Sequence, residues 1–369
     1  MKRIVNCYPL RIHAAFVGLL LLYPLMALSD ASYYLQSVTG HLELMRLARP
    51  VEQWLADEGV DAGLKQRLVL ARQIRDFAVT ELKLPDNASY RSYADLQRRA
   101  AVWNLVAAPE FSLELKTWCF LVLGCVAYRG YFDEAEARQQ GQALQAQGLE
   151  VSVYGVPAYS TLGWLNWLGG DPLLSTFIRY PEGELARMIF HELAHQALYV
   201  KDDTLFNESF ATAVERLGAE RWLATRGSAQ ARKEYSEFDA RRRQLRALSL
   251  ATRLRLARIY STHGASQLDR ETMLARKSAV MQEFRDDYAR LKTGWAGYSA
   301  YDGWVAGANN AAFGAQAVYD ELVPAFEALF AREGEDWQRF YDAVRRLAQM
   351  PVADRLPALK QIAMEHTSG

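Results

Sequence analysis

The stretch His191-Glu192-Leu193-Ala194-His195 decides how the chain is read, and Asn207-Glu208-Ser209-Phe210-Ala211 follows it after a short break. Two histidines four apart on a helix share one face, one turn from each other. There both imidazoles can reach a single metal ion. Glu192, one residue on from the first histidine, projects to the side of that face, where it can take a proton from a water held at the metal. The flanks support a helix. Leu185, Met188, Ile189, Phe190, Leu193, Ala197 and Leu198 are apolar, and neither Gly nor Pro interrupts Glu184 to Val200. The chain has six histidines in all, so two that bracket a glutamate at ligand spacing stand out from ordinary packed histidines.

A catalytic zinc takes three protein ligands and keeps one position open. Two carboxylates, Glu208 and Glu215, compete for the third place. The break between the helices falls near Lys201-Asp202-Asp203, and Asp203 or Thr204 can cap the second helix. The two helices then form an antiparallel hairpin, in which Glu208 comes level with His195. Glu215 lies roughly 10 Å further along the axis, at about 1.5 Å per residue. The expected ligand set for one Zn2+ per chain is therefore His191, His195 and Glu208, with Glu215 behind it.

The arrangement is the H-E-x-x-H motif of zinc peptidases. The run from Leu205 to Glu215 resembles the second motif of gluzincin aminopeptidases, in which the glutamate of an Asn-Glu-x-Phe-Ala run binds zinc. The connection between the two motifs is shorter than in that group. A wider resemblance covers most of the chain. Gly124 to Phe132, Gly155 to Trp164 and Asn309-Asn310-Ala311 are similar to a bacterial family known as putative aminopeptidases. It implies a metallopeptidase with a gluzincin-like centre. The Gly-rich, Glu-bearing motif with which gluzincin aminopeptidases grip the substrate amine is not found; Glu182, Glu184, Asp171 and Asp302 are the candidate substitutes.

Composition bounds the partners. Lys plus Arg and Asp plus Glu number 43 each among 369 residues, a balance that argues against nucleic acid. At the N-terminus Lys2, Arg3 and Arg11 precede an apolar run from Ala14 to Leu28, and Ser29-Asp30-Ala31 follows. Residues 1–31 read as a signal peptide or as an anchor in the inner membrane, with the rest exported to the periplasmic side. In an oxidising compartment Cys119 and Cys125 can either form a disulfide or remain free thiols. Their spacing is not a zinc pattern.

Outward from the motif, residues 32–183 read as helices from Tyr33 to about Leu84, then strands over 100–107, 113–120 and 151–154, with a helix from Asp133 to Gln147. Ala158 to Trp164 is expected to be a further strand and Asp171 to Tyr180 a loop. Residues 184–226 hold the metal helix pair. Residues 227–369 form a helical lobe, with helices over 229–260, 269–291, 310–332, 337–350 and 354–364. The fold class is α+β, mostly helical and zincin-like: a small, mostly antiparallel sheet, the helix pair and a helical C-terminal lobe, with the cleft between sheet and lobe.

The expected activity is zinc-dependent hydrolysis of peptide bonds in the cell envelope, with Glu192 as general base. Tyr298, Tyr301 and Tyr319, and more weakly His263, are candidates to steady the oxyanion. The edge formed by Ala158, Tyr159, Ser160 and Thr161 is the candidate to bind the peptide backbone as an added strand. Aminopeptidase is the first assignment; a zinc endopeptidase and a non-catalytic metal-binding scaffold are the alternatives.

Overall fold

A computed structural model describes residues 33–120, 124–158, 169–261, 269–318 and 322–368. The N-terminal segment 1–31, Tyr159, Ser160, Thr161, His263 and Tyr319 lie outside these residues. The chain divides into two compact units, 1–46 and 47–369. In the first, the described residues are helical and expose Leu35, Val38 and Leu42 on one face. Among the described residues, no helix is long and apolar enough to cross a membrane.

The second unit opens with β1 (Arg49–Pro50), α1 (Val51–Ala56) and α2 (Ala62–Thr80), followed by β2 (Ser92–Ala94) and β3 (Val102–Pro109). Next come β4 (Trp118–Phe120), β5 (Gly124–Val126), β6 (Arg129–Tyr131), α3 (Glu134–Gln145), β7 (Leu149–Val156) and β8 (Leu173–Leu174). The rest is helical: α4 (Glu182–Ala197), α5 (Thr204–Thr225), α6 (Ala229–Tyr260), α7 (Arg270–Thr293), α8 (Asp302–Ala306) and α9 (Asn310–Val318). The last three are α10 (Val323–Arg332), α11 (Trp337–Ala348) and α12 (Val352–Ser368). Acidic and hydroxyl residues start the helices as the sequence leads one to expect. Asp61, Asp133, Asp203, Ser228, Asp269 and Asp336 each accept a backbone N–H of the first turn.

The described strands form three small sheets, ordered β1-β2-β8, β6-β3-β7 and β4-β5. The second is antiparallel throughout and pairs β3 with β7 over its whole length. Alternation gives that sheet two apolar faces. Leu105, Val151 and Val153 meet α3 at Gly141, where the missing side chain lets the helix approach. Val106, Ala108 and Tyr154 face the other way and pack against Ala311 of α9. Asn309 and Asn310 fix that helix to the sheet. The Asn309 amide donates to the Val151 carbonyl, and the Asn310 amide donates to the carbonyls of Pro109 and Glu110.

Several elements depart from expectation. The stretch 113–117 forms no strand, its Lys116 N–H donating to the Ala107 carbonyl of β3 without a ladder, so the second strand shrinks to β4. Leu173–Leu174 is a short strand parallel to β2 rather than loop. The helix expected over 310–332 is two, α9 and α10, because Pro324 belongs in a first turn and cannot continue a helix. Cys119 and Cys125 face each other across β4 and β5 and are joined as a disulfide.

Candidate metal centre

The α4–α5 hairpin carries the centre. Helix α4 buries Leu185, Ile189, Phe190 and Leu193 completely, which turns its histidine face toward α5. The helix ends at Ala197, and Asp202 takes a left-handed φ of 65° in the turn. Asp203 caps α5 through the Phe206 N–H and also pairs with buried Arg355. Asn207 accepts the Val200 N–H at 2.8 Å and donates to the Val200 carbonyl at 2.7 Å. That double bond between the turn and the first coil of α5 sets the level of the next residue, Glu208.

His191 Nε2 and His195 Nε2 lie 3.2 Å apart, and Glu208 Oε2 lies 3.3 Å from the first and 3.5 Å from the second. Their side chains are 12, 7 and 12 % exposed. Two imidazole lone pairs and a carboxylate oxygen at this spacing repel unless a positive charge lies among them. Burial opposes an imidazolium at His191, yet Glu208 and Glu215 outweigh it and hold its pKa well above the ordinary value. Burial likewise opposes the Glu208 carboxylate, but His195 and His191 bring its pKa down to about 2. A tetrahedral zinc with bonds of about 2.0–2.1 Å spans ligand-to-ligand edges of about 3.3–3.4 Å. The three atoms therefore fit zinc in both donor type and spacing, and they are the described group placed to hold a metal.

Glu215 stands behind the triad. Its Oε2 lies 3.0 Å from His191 Nδ1, and its other oxygen pairs with Arg187, whose side chain is 5 % exposed. This is the carboxylate–histidine arrangement that fixes the tautomer and aim of a ligating ring. Sequence reasoning missed Arg187, although it sits four before His191 on the same face.

Glu192 is half-buried on the side of α4 that faces two tyrosines. The hydroxyl of half-buried Tyr128 has its pKa pushed well up by burial and then by the charge of Glu208, with Glu192 adding to it. Tyr90 is 1 % exposed, and its hydroxyl has no hydrogen-bond partner. Burial, followed by Glu192 and Asp171, raises its pKa. Arg75 of α2, fully buried, holds the Tyr90 loop through the carbonyls of Pro85, Asn87 and Ser89. Neither tyrosine was singled out from the sequence. The available signal for Tyr128 was its place inside the Gly124–Phe132 segment.

The expected tyrosines Tyr298 and Tyr301 belong to the helical lobe, and Tyr301 feels the charge of Arg187, the partner of Glu215. Tyr298 and Tyr301 join the aromatic cluster of the helical lobe around Trp295, Phe284 and Phe313, with Glu184, Arg241 and Arg242 as charged neighbours. They line the lobe's core, and the aromatic loop that carries them folds inward because Trp295 is its buried anchor. Glu182 accepts from the Trp222 indole, Glu184 pairs with Arg242, and Asp302 pairs with Lys292. Asp171 shares a neighbour, Tyr90, with Glu192. Ala158 follows β7, which is the edge strand of its sheet among the described residues.

Comparison with known proteins places the chain. It belongs to the family described as "Putative aminopeptidase", whose model matches residues 32–359. No curated protein matches it. No solved structure matches it either.

Proposed function

We propose that the protein is a zinc-dependent aminopeptidase. The observation that carries this is the convergence of His191 Nε2, His195 Nε2 and Glu208 Oε2 to within 3.5 Å of one another, with Glu192 beside them. Membership of the aminopeptidase family supports peptide hydrolysis as the reaction class. Held by these three residues, zinc would supply Lewis-acid chemistry, drawing electron density from oxygens brought next to it.

The chain's own residues do the rest. Glu192 takes one proton from the attacking water as the water oxygen adds to the scissile carbonyl carbon. When the carbon–nitrogen bond breaks, Glu192 hands that proton to the departing amine. The Tyr128 hydroxyl, which feels the charges of Glu208 and then Glu192, is the candidate to donate to the carbonyl oxygen as it gains charge. Glu215 and Arg187 keep the His191 ring from rotating.

The test is Glu192→Gln, which removes the base and leaves all three ligand side chains in place. Metal content and thermal stability should stay near wild type. Hydrolysis of aminoacyl-amide reporters should fall by about 10²–10⁴-fold, the scale of a lost acid–base group. A variant that keeps its zinc and cleaves at the wild-type rate would sink the mechanism. N-blocked peptides run in parallel settle the mode of cleavage. If they are cut as well as free-amine substrates, the enzyme is an endopeptidase.

A further inference from the structure

The disulfide Cys119–Cys125 takes no part in the chemistry above, yet its hairpin touches the helix pair that carries the ligands. It joins β4 to β5, a two-stranded sheet of its own in which Trp118 faces Val126, Cys119 faces Cys125 and Phe120 faces Gly124. A hairpin of two such short strands is marginal in water on backbone pairing alone. The cross-link at the middle pair supplies what the pairing lacks, because it removes the open forms of the hairpin. Cys119 is exposed and Cys125 half-buried, so a thiolate from solution can reach the bond.

The same hairpin braces the turn between α4 and α5. The Cys125 N–H donates to Asp202 Oδ1 at 2.6 Å. Gly124 lies against the Asp202 and Lys201 side chains, with no room for a Cβ. Asp202 holds a φ of 65°, a conformation that costs a non-glycine residue energy and persists where neighbours fix it. The turn runs from the end of α4 at Ala197 to the start of α5 at Thr204, so its shape sets how Glu208 meets His191 and His195. At its other end the hairpin is tied to the main sheet. Val126 leads into Tyr128, which packs against Val106, Ala108 and Ala311. Opening the bond therefore frees the hairpin and the turn but leaves the sheet in place.

We propose that Cys119–Cys125 is a redox gate on the metal centre. Oxidised, the hairpin holds the α4–α5 turn in the shape that gathers the ligands; reduced, it lets the turn go and metal affinity falls. The inference rests on the metal site proposed above. The reductant is a dithiol. One of its thiolates attacks Cys119 Sγ, the bond between the two cysteines breaks, and Cys125 leaves as a thiolate. The second thiol of the reductant then attacks the mixed disulfide and releases Cys119. Two electrons and two protons pass to the protein, and the dithiol closes to its own disulfide. The Cys125 N–H then no longer fixes Asp202, and the turn relaxes.

The test compares the full chain oxidised, reduced with dithiothreitol that is then removed without air, and as Cys119→Ser/Cys125→Ser, which cannot bind zinc through freed thiols. Thiol titration should gain two thiols per chain on reduction. Zinc affinity, read by competition with a chelating dye, should fall about 10–100-fold in the reduced and doubly substituted chains, the scale of losing an outer support of a ligand. Reoxidation should restore it in the reduced chain alone. Hydrogen exchange should quicken at the Cys125 amide and over 198–203 while β3 and β7 stay protected. Asp202→Gly removes the acceptor and tolerates the left-handed φ, so its zinc affinity should no longer respond to reduction. Equal affinity in the oxidised and reduced chains overturns the gate and leaves the metal centre standing. No zinc in any form overturns both. A response that Asp202→Gly leaves undiminished refutes the coupling through the turn. Loss of protection across β3 and β7 on reduction would make the bond a staple of the whole fold, and the gate would fall.

Discussion

Under the proposed function, Glu215 would decide how firmly His191 is aimed, and Glu208 whether a metal is held at all. The two carboxylates are seven positions apart on one helix, yet only Glu208 reaches both imidazoles. Glu208→Ala should therefore abolish metal uptake. Glu215→Ala should weaken it by about 10–100-fold, the usual effect of removing an outer partner of a ligating histidine. That second variant also leaves the Arg187 guanidinium buried without its carboxylate, a loss of about 3–5 kcal/mol of stability. Metal titration and thermal melting separate the two effects, and equal metal loss in both variants would reverse the assignment of ligand and support. Uptake should also depend on pH in a definite direction. Without metal, burial disfavours the charged His191 ring, but the flanking carboxylates prevail and raise its pKa. A ligating imidazole must be neutral, so binding expels a proton and apparent affinity climbs with pH through the neutral range. By the same linkage, His191 steadies the metal-free fold below its ordinary pKa and loses that effect as pH rises through the raised value. A titration series in buffers of increasing pH that gives flat affinity would show that His191 holds no proton to expel.

The element that matters most is the turn between α4 and α5. Cys125 donates its N–H to Asp202 at 2.6 Å, so the disulfide-bonded β4–β5 hairpin touches the turn that joins the two halves of the ligand set. Gly124 makes the approach possible. Its φ is +77°, and a Cβ there would lie 2.1 Å from Asp202 Oδ1. Gly124→Ala should cost about 1–2 kcal/mol for the left-handed backbone alone. It should also shift the turn, so metal affinity should fall together with the melting temperature. A melting temperature that falls with metal affinity untouched would mean the hairpin does not support the centre. The helix pair was legible in the sequence because apolar residues at helical spacing, an aspartate cap and two histidines four apart all act within a few residues of each other. The strands of two or three residues were not, since so short a segment shows no alternation. The 113–117 stretch alternates like a strand but makes one backbone bond to β3, Lys116 N–H to the Ala107 carbonyl, and no ladder, and a strand needs a ladder.

At the scale of the molecule, the triad was readable and its surroundings were not. His191, His195 and Glu208 sit in adjacent helices, so local rules place them. Tyr90 and Tyr128 feel the charge of Glu192 from the loop after α2 and the β5–β6 connection, and Tyr154 that of Glu208 from an edge strand. Nothing in their own neighbourhoods says so. Tyr298 and Tyr301 lie in a stretch rich in glycine and aromatics, which suits a cleft and a core equally well. Trp295 is buried in the core, while Tyr298 and Tyr301 pack against it and stay partly exposed. This difference has a consequence for how the protein fails. His191 and Glu215 are 24 positions apart, so closing that segment costs little chain entropy. Tyr128 lies in the β5–β6 connection and Tyr90 in the loop after α2, so their places near Glu192 exist only while those separate elements are docked. In a denaturant titration, substrate turnover should vanish at a lower concentration than metal retention does; coincident loss would show one cooperative unit. The protein would then pass through a state that still grips its ion but has forgotten its substrate.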